Sequence, residues 1–167
     1  IIIVLYFSAT RLDAYANDKS VEQVQRLLEL ELDKLADLSM EYGWWNEAVD
    51  MVAYQKDLEW AETNVGDYVQ DRYNIKIVLA FGPGGELAYG RQNQEILQSA
   101  PTAVMTPEIA DLIKKATDTD YSDPQPVSRI VSIDGAPALA AAATFAVYEP
   151  TERDLERSHG AIVFIRM

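Results

Sequence analysis

The sequence predicts an α+β fold in which a long N-terminal helix and a second helix pack on one side of a five-stranded antiparallel sheet. In the first third of the chain, apolar residues recur every three or four positions, which is the period of an amphipathic helix. From Ile75 onward, short runs rich in Ile, Val and Ala are separated by Gly and Pro turns, which indicates strands. Helices followed by a run of strands are typical of the α+β class.

The composition limits the classes of function. The chain has 167 residues, enough for one domain with a buried core, and its 49% of hydrophobic residues is typical of globular proteins. Its 27 acidic and 14 basic residues give a formal net charge of -13, which argues against nucleic acid as a partner. The chain contains no cysteine, so disulfides and thiolate chemistry are excluded.

Residues 8–53 are predicted to form one long amphipathic helix. Val21, Leu28, Leu35 and Tyr42 are spaced seven positions apart, and acidic residues lie on the opposite surface. At about 1.5 Å per residue, an unbroken helix of this length extends beyond a domain of this size. We therefore expect part of the apolar stripe to pack on a second copy, giving a homodimer through the N-terminal helix. In the alternative, the stripe packs only on its own domain.

The apolar run at residues 1–7 leaves two interpretations open. A membrane-spanning helix needs about 20 apolar residues, so this run matches only the outer end of a truncated span. Its Ile and Val residues suit a first β-strand equally well.

The remaining elements follow from caps and turns. A second helix is predicted at residues 57–73 with Asp57 as its cap, and another begins at Thr106 and Pro107 and ends near Thr117. Glycine-containing turns separate the first strand from the second and the third from the fourth. The predicted strands are residues 75–81, 86–89, 127–133, 136–148 and 160–166. Small residues such as Ala140 and Ala142 leave space above the fourth strand, to be filled by a packed helix or by a ligand.

Aromatic and short polar side chains concentrate between Tyr42 and Asn64. All three tryptophans lie in this stretch, with Asn46 and Asp50 among them. Indole, phenol, amide and carboxylate groups together can line a site for a small polar ligand. They can also form a corner of the core, because buried Tyr and Trp need partners for their polar atoms. The residues alone leave both interpretations open.

This stretch resembles the type-four CHASE domain, a cyclase/histidine-kinase-associated sensory extracellular domain. The resemblance covers residues 27–90 well and the rest of the chain by strand order. The residues that carry it are Trp44, Trp45 and Asn46 after a long helix, then Asp50, Tyr54, Trp60 and Asn64, and a strand-Gly-strand hairpin ending at Gly90. The family usually has a Trp-Asp pair where Trp45 and Asn46 stand, so one carboxylate is missing here.

The resemblance implies a PAS-like or Cache-like sensor, with residues 1–167 forming a single extracytoplasmic domain. Residues 1–7 are then the end of a membrane span, residues 8–53 the long helix and residues 54–167 the PAS-like core. It also implies an unknown small-molecule ligand, membrane spans that flank the domain, and relay through the long helix to a cytoplasmic diguanylate cyclase, cyclic-di-GMP phosphodiesterase or histidine kinase. The ligand-binding residues that it implies are Trp45, Asn46, Tyr54, Trp60 and Asn64.

Two further ligand-binding candidates, Arg129 and Tyr148, come from the chemistry of the sheet alone. Arg129 offers an anionic ligand a bidentate partner, or else it forms a surface salt bridge. The single histidine, His159, is expected to be an exposed or capping residue, because no nucleophile or metal-ligand spacing accompanies it. We therefore predict no catalytic residue, no metal and no cofactor. The competing function is a passive dimerisation or protein-interaction module, since Trp and Tyr are enriched at interfaces.

Overall fold

The structure, a computed structural model, describes residues 2–155 and 158–167, with side chains from residue 19 onward except at residue 153. The chain divides into two compact units between Glu31 and Leu32. Its helices are α1 (Ile2–Gly43), α2 (Asn46–Ala48), α3 (Leu58–Ala61), α4 (Tyr68–Tyr73), α5 (Pro107–Thr117) and α6 (Glu152–Leu155). The π-helical segment Val49–Tyr54 follows α2, and a second π-helical segment, Glu62–Asp67, joins α3 to α4.

The strands of the described residues form one antiparallel sheet. They are β1 (Ile77–Phe81), β2 (Leu87–Gln92), β3 (Glu95–Ile96), β4 (Val127–Ile133), β5 (Ala136–Thr144) and β6 (Ala161–Arg166), in the order β3-β2-β1-β6-β5-β4. The α+β class, the long N-terminal helix and the antiparallel sheet are confirmed. The predicted number of five strands is wrong, because the described part of the sheet has six.

The additional strand is β3, which pairs with the end of β2. A tight turn at Asn93, whose φ is 56°, returns the chain so that Ile96 lies opposite Arg91 and Glu95 opposite Gln92. Asn tolerates this left-handed backbone better than most residues. Two residues are too few to show the alternation by which a strand is recognised in a sequence.

Helix α1 ends at Gly43, before the predicted boundary at residue 53. The Gly43 carbonyl accepts a hydrogen bond from the Ala146 amide at 2.9 Å. A Cβ at Gly43 would lie 2.6 Å from the carbonyl oxygen of Thr144, so only glycine allows this close approach. Trp45 is extended, with φ -103° and ψ 105°, and the helix resumes at Asn46.

The described part of the run at residues 1–7 belongs to α1, so the β-strand interpretation is wrong for residues 2–7. Residue 1 lies outside the described residues. Within the part of the chain that the structure describes, no helix combines the length and the apolar character needed to cross a membrane.

The helix predicted at residues 57–73 is present as α3, the π-helical segment Glu62–Asp67 and α4. The Asp57 carboxylate caps it by accepting a hydrogen bond from the Trp60 amide at 2.9 Å. Thr106 caps α5 in the same way, accepting from the Ile109 amide at 3.4 Å.

Helices cover both faces of the sheet, so the prediction that they lie on one side is wrong. On one face the end of α1, through Leu35, Leu38 and Tyr42, packs in a cluster with sheet residues that include Phe164. On the opposite face α5 packs in a cluster whose members include Ile109, Leu112, Ala116, Ala140, Ala142 and Val163. The space above Ala140 and Ala142 is therefore filled by a helix, since small side chains let α5 approach the strand closely.

Candidate functional site

A groove of about 560 Å³ lies beside the end of α1. It is formed by the last turn of α1, the extended turn before α2, the π-helical segment Glu62–Asp67 and the first residue of α4. The described residues that line it are Glu41, Tyr42, Trp44, Trp45, Thr63, Asn64 and Tyr68. Its volume falls within the range of about 300–1,000 Å³ that is usual for small-molecule sites.

The aromatic rings at the inner side of the groove form a packed corner. The Tyr42 ring meets the Trp45 ring edge-on at 5.9 Å and the Phe164 ring at 5.4 Å. The ring centroid of Trp60 lies 5.1 Å from that of Trp45. Burial raises the pKa of the Tyr42 phenol above its usual value, and the charge of Glu41 adds to the effect, so this hydroxyl stays neutral at physiological pH.

The interpretation of the aromatic stretch as a corner of the core therefore agrees with the structure, and its interpretation as a ligand site stays a prediction. Tyr42 is buried in the core, with Trp45 and Trp60 half-buried against it, while Tyr42 and Trp45 also border open space. Trp60 packs on the Trp45 ring and is not among the residues that line the groove.

Asn64 is held by local hydrogen bonds. Its side-chain amide nitrogen donates a hydrogen bond to the Trp60 carbonyl at 2.9 Å, and its backbone carbonyl accepts one from the Tyr42 hydroxyl at 3.5 Å. It lies in a π-helical segment, a feature that is often found at functional sites. These bonds fix the side of the groove that faces α1.

Asn46 and Tyr148 lie beside the groove and do not line it. The Asn46 side chain accepts a hydrogen bond from the Tyr148 amide at 2.6 Å and donates to the Tyr148 carbonyl at 3.4 Å. The Tyr148 ring is exposed and lies 6.3 Å from the Trp44 ring. An aspartate at position 46 would keep the first hydrogen bond and lose the second, because a carboxylate has no donor. The amide thus makes one hydrogen bond to Tyr148 that a carboxylate could not make.

Tyr54 and His159 form a separate contact away from the groove. The Tyr54 hydroxyl lies 2.5 Å from His159 Nδ1, and His159 Nε2 lies 3.1 Å from the Asp154 carbonyl oxygen. The expectation of an exposed His159 is wrong, because the residue is only 1% exposed, whereas its contact with the Asp154 carbonyl in α6 agrees with the alternative of a capping residue. Gly160, at φ +99°, turns the chain into β6 immediately after it.

Arg129 lies on the other face of the sheet. It is paired with Ala140 of β5, which packs on α5, and its guanidinium forms a salt bridge to Asp111 of α5 at 2.9 Å. The structure therefore brings Trp45 and Asn64 together in the groove and does not bring Arg129 to them.

Sequence reasoning missed several residues of the groove lining as site residues. Tyr68 follows Asn64 at the helical i, i+4 spacing, which places both on one surface, so this signal was visible. Trp44 and Tyr42 stood in the aromatic stretch and were not assigned to the site. Glu41 and Thr63 carry no signal of their own in the sequence. Glu41 lies at the groove because α1 ends two residues after it, and Thr63 because it precedes Asn64 in the π-helical segment.

Comparisons with known proteins point to one family. The CHASE4 domain profile matches residues 27–167. A comparison with curated proteins finds no match. Among solved structures, the chain is similar to the domain of a sensory box/GGDEF family protein from Vibrio parahaemolyticus, with 12% identity, 89% of this chain and 59% of that chain covered, and a TM-score of 0.54.

A second similar structure is the ligand-binding domain of the Campylobacter jejuni chemoreceptor Tlp3 in complex with L-valine. It has 12% identity, with 90% of this chain and 60% of that chain covered, and a TM-score of 0.45. The chain thus spans about three fifths of the length of these solved structures. At such low identity, the likeness to the Vibrio domain concerns the fold alone.

Proposed function

This chain belongs to the CHASE4 domain family, and from that premise we propose that it is the extracytoplasmic ligand-sensing domain of a membrane-bound signalling protein. The match confirms the resemblance found in the sequence. CHASE4 is a sensory domain, so the domain itself is not catalytic. The observation that supports ligand binding is the groove of about 560 Å³, in which Trp44, Trp45 and Tyr68 lie beside the polar side chains of Thr63 and Asn64.

The proposed signal passes through α1. Glu41 and Tyr42 lie in the last turn of this helix and line the groove, so a bound ligand touches the helix directly. A ligand changes a conformational equilibrium only if it binds two arrangements with different affinity. Helix shifts of about 1–2 Å are sufficient for such a change. In the full-length protein, flanking membrane spans would connect α1 to a cytoplasmic diguanylate cyclase, cyclic-di-GMP phosphodiesterase or histidine kinase.

Replacing Trp45 by alanine is expected to weaken ligand binding at least about tenfold, because the indole forms part of the groove wall and supports Tyr42. The measurement is isothermal titration of the domain with small carboxylates, amines and nucleobases, repeated on Trp45→Ala with any compound that binds. Ile96→Ala, which removes an exposed apolar side chain on β3 outside the groove, is the control and should bind normally. A ligand that binds Trp45→Ala with unchanged affinity would show that it binds elsewhere.

Homodimerisation is a separate part of the proposal and is supported by the first compact unit. In that unit the residues Val21, Val24, Leu27 and Leu30 are between 49 and 59% exposed. The apolar stripe to which Val21 and Val24 belong continues along α1 with heptad spacing, the pattern by which two copies of a helix pack together. A passive dimerisation module without a small ligand is the second candidate function, and the same stripe favours it.

The substitution Val24→Glu is expected to weaken self-association more than about tenfold, since it places a charge in the helix seam. Sedimentation velocity over a series of concentrations measures the monomer–dimer equilibrium. Glu29→Gln, on an exposed part of the same helix, is the matched control. A chain that stays monomeric at every concentration, or a Val24→Glu dimer as stable as the native one, contradicts the proposal.

A further inference from the structure

We propose that the groove binds an organic cation, a small ammonium compound whose nitrogen carries methyl or other alkyl groups. The inference rests on the proposed sensory function, since it names the ligand class of the same groove. Three features of the lining support it: the charges present, the arrangement of the rings and the polar atoms at the rim.

The charge of the groove is negative. Of the described residues that line it, Glu41 alone carries a charge at neutral pH, and none is Lys or Arg. Tyr42 is a neutral phenol at this pH, and burial together with the charge of Glu41 raises its pKa further above the ordinary value. An anionic ligand would therefore find no basic partner there, whereas an ammonium group would find a carboxylate. The formal net charge of -13 adds a field that attracts cations to the surface.

The aromatic rings present surfaces that suit a cation. Tyr42, Trp44, Trp45 and Tyr68 all line the groove, and the planes of Tyr42 and Trp45 meet at 69°, so the two rings form a corner rather than a flat stack. Trp44 and Tyr68 are 40% and 51% exposed, which leaves ring surface free for contact. The faces of aromatic rings carry negative electrostatic potential, and groups of them recognise quaternary and methylated ammonium ions.

The polar atoms at the rim complete the match. The Asn64 side chain already donates to the Trp60 carbonyl at 2.9 Å, and its amide oxygen is an acceptor. The Thr63 hydroxyl can donate or accept a hydrogen bond, as the hydroxyl of an amino alcohol requires. Acceptors at Asn64 and Glu41 favour a ligand that carries N–H or O–H groups or a positive charge.

Choline and its uncharged isostere 3,3-dimethylbutan-1-ol provide the sharpest test, because they differ only in replacing nitrogen by carbon. Isothermal titration of the domain is expected to show choline binding at least about tenfold more tightly than the alcohol. Glu41→Gln is expected to reduce choline affinity about twofold to fivefold and to leave the alcohol unaffected. Glu47→Gln, an exposed carboxylate on α2 outside the groove lining, is the matched control and should change neither affinity.

Several outcomes overturn the inference. Equal affinity for choline and the alcohol, or no binding of choline or tetramethylammonium up to about 50 mM, removes the cation specificity. Choline binding that is insensitive to both Glu41→Gln and Trp45→Ala assigns the cation to another surface. If a carboxylate or a nucleobase binds instead and Trp45→Ala weakens it, the cation inference fails while the proposed ligand-sensing function remains.

Discussion

The substitution Gly160→Ala is expected to lower the free energy of unfolding by about 3–5 kcal/mol, or to prevent folding. Gly160 has φ +99°, a conformation that is strained for any residue with a Cβ. An added Cβ would overlap the Phe81 carbonyl oxygen and lie 2.9 Å from the carbonyl carbon of Gly82. These are backbone atoms at the end of β1, where Phe81 pairs with Ala161, so they cannot move without disturbing the centre of the sheet.

Gly135→Ala separates the two causes of this loss. Gly135 has φ +79° in the β4–β5 turn, and nothing lies within 4 Å of the position that its Cβ would take. This variant should therefore lose only the conformational strain, about 1 kcal/mol. Urea unfolding followed by circular dichroism measures both variants. If they lose equal stability, the close approach of Gly160 to β1 is not what requires glycine there.

The substitution Arg91→Met is expected to lower the free energy of unfolding by about 3–5 kcal/mol, because it leaves a partly buried carboxylate without its counter-charge. Arg91 is only 5% exposed, and its Nη1 lies 2.7 Å from both Glu62 Oε1 and Asp67 Oδ1. Burial opposes the charge of Arg91, yet these two carboxylates raise its pKa above the ordinary value. The Asp67 side chain is exposed, so most of the loss is expected at Glu62.

Arg129→Met is the matched control, since its ion pair with Asp111 has the same kind of geometry at the surface. That loss should be much smaller than the loss for Arg91→Met, as for other exposed ion pairs. The double variant Arg91→Met with Glu62→Gln should recover part of the stability, because it also removes the unpaired charge. Chemical denaturation that finds equal losses for Arg91→Met and Arg129→Met would show that burial does not strengthen the Arg91 pairs.

Much of the architecture could be predicted because it follows from local patterns. The periodicity of α1, the caps of α3 and α5, and the turn at Asp134 and Gly135 that joins β4 to β5 all act over a few residues. The end of α1 could not be predicted, since it depends on the contact of Gly43 with Thr144, which is distant in the sequence. The second layer on the sheet was missed for a similar reason, because a stripe of alanines does not indicate which element covers it.

Groove residues could be predicted only where they lie in the stretch of sequence that carries the family resemblance. Trp45 and Asn64 were assigned from the family resemblance, and both line the groove. Arg129 was assigned by its chemistry alone. It does not reach the groove because its side chain lies on the opposite face of the sheet, and the sequence does not specify the face of β4 on which it lies. His159 was expected to be an exposed or capping residue, because nothing local in the sequence indicates that it is buried against Tyr54.

The π-helical segment Glu62–Asp67 has a mechanical consequence. Its first and last residues both bind the guanidinium of Arg91 on β2, and the groove residues Thr63 and Asn64 lie between these two anchor points. The side of the groove formed by this segment is thus attached to the sheet at both ends of the segment. The opposite side is the end of α1. A change in the width of the groove is therefore expected to move the helix and not the segment that is attached to the sheet.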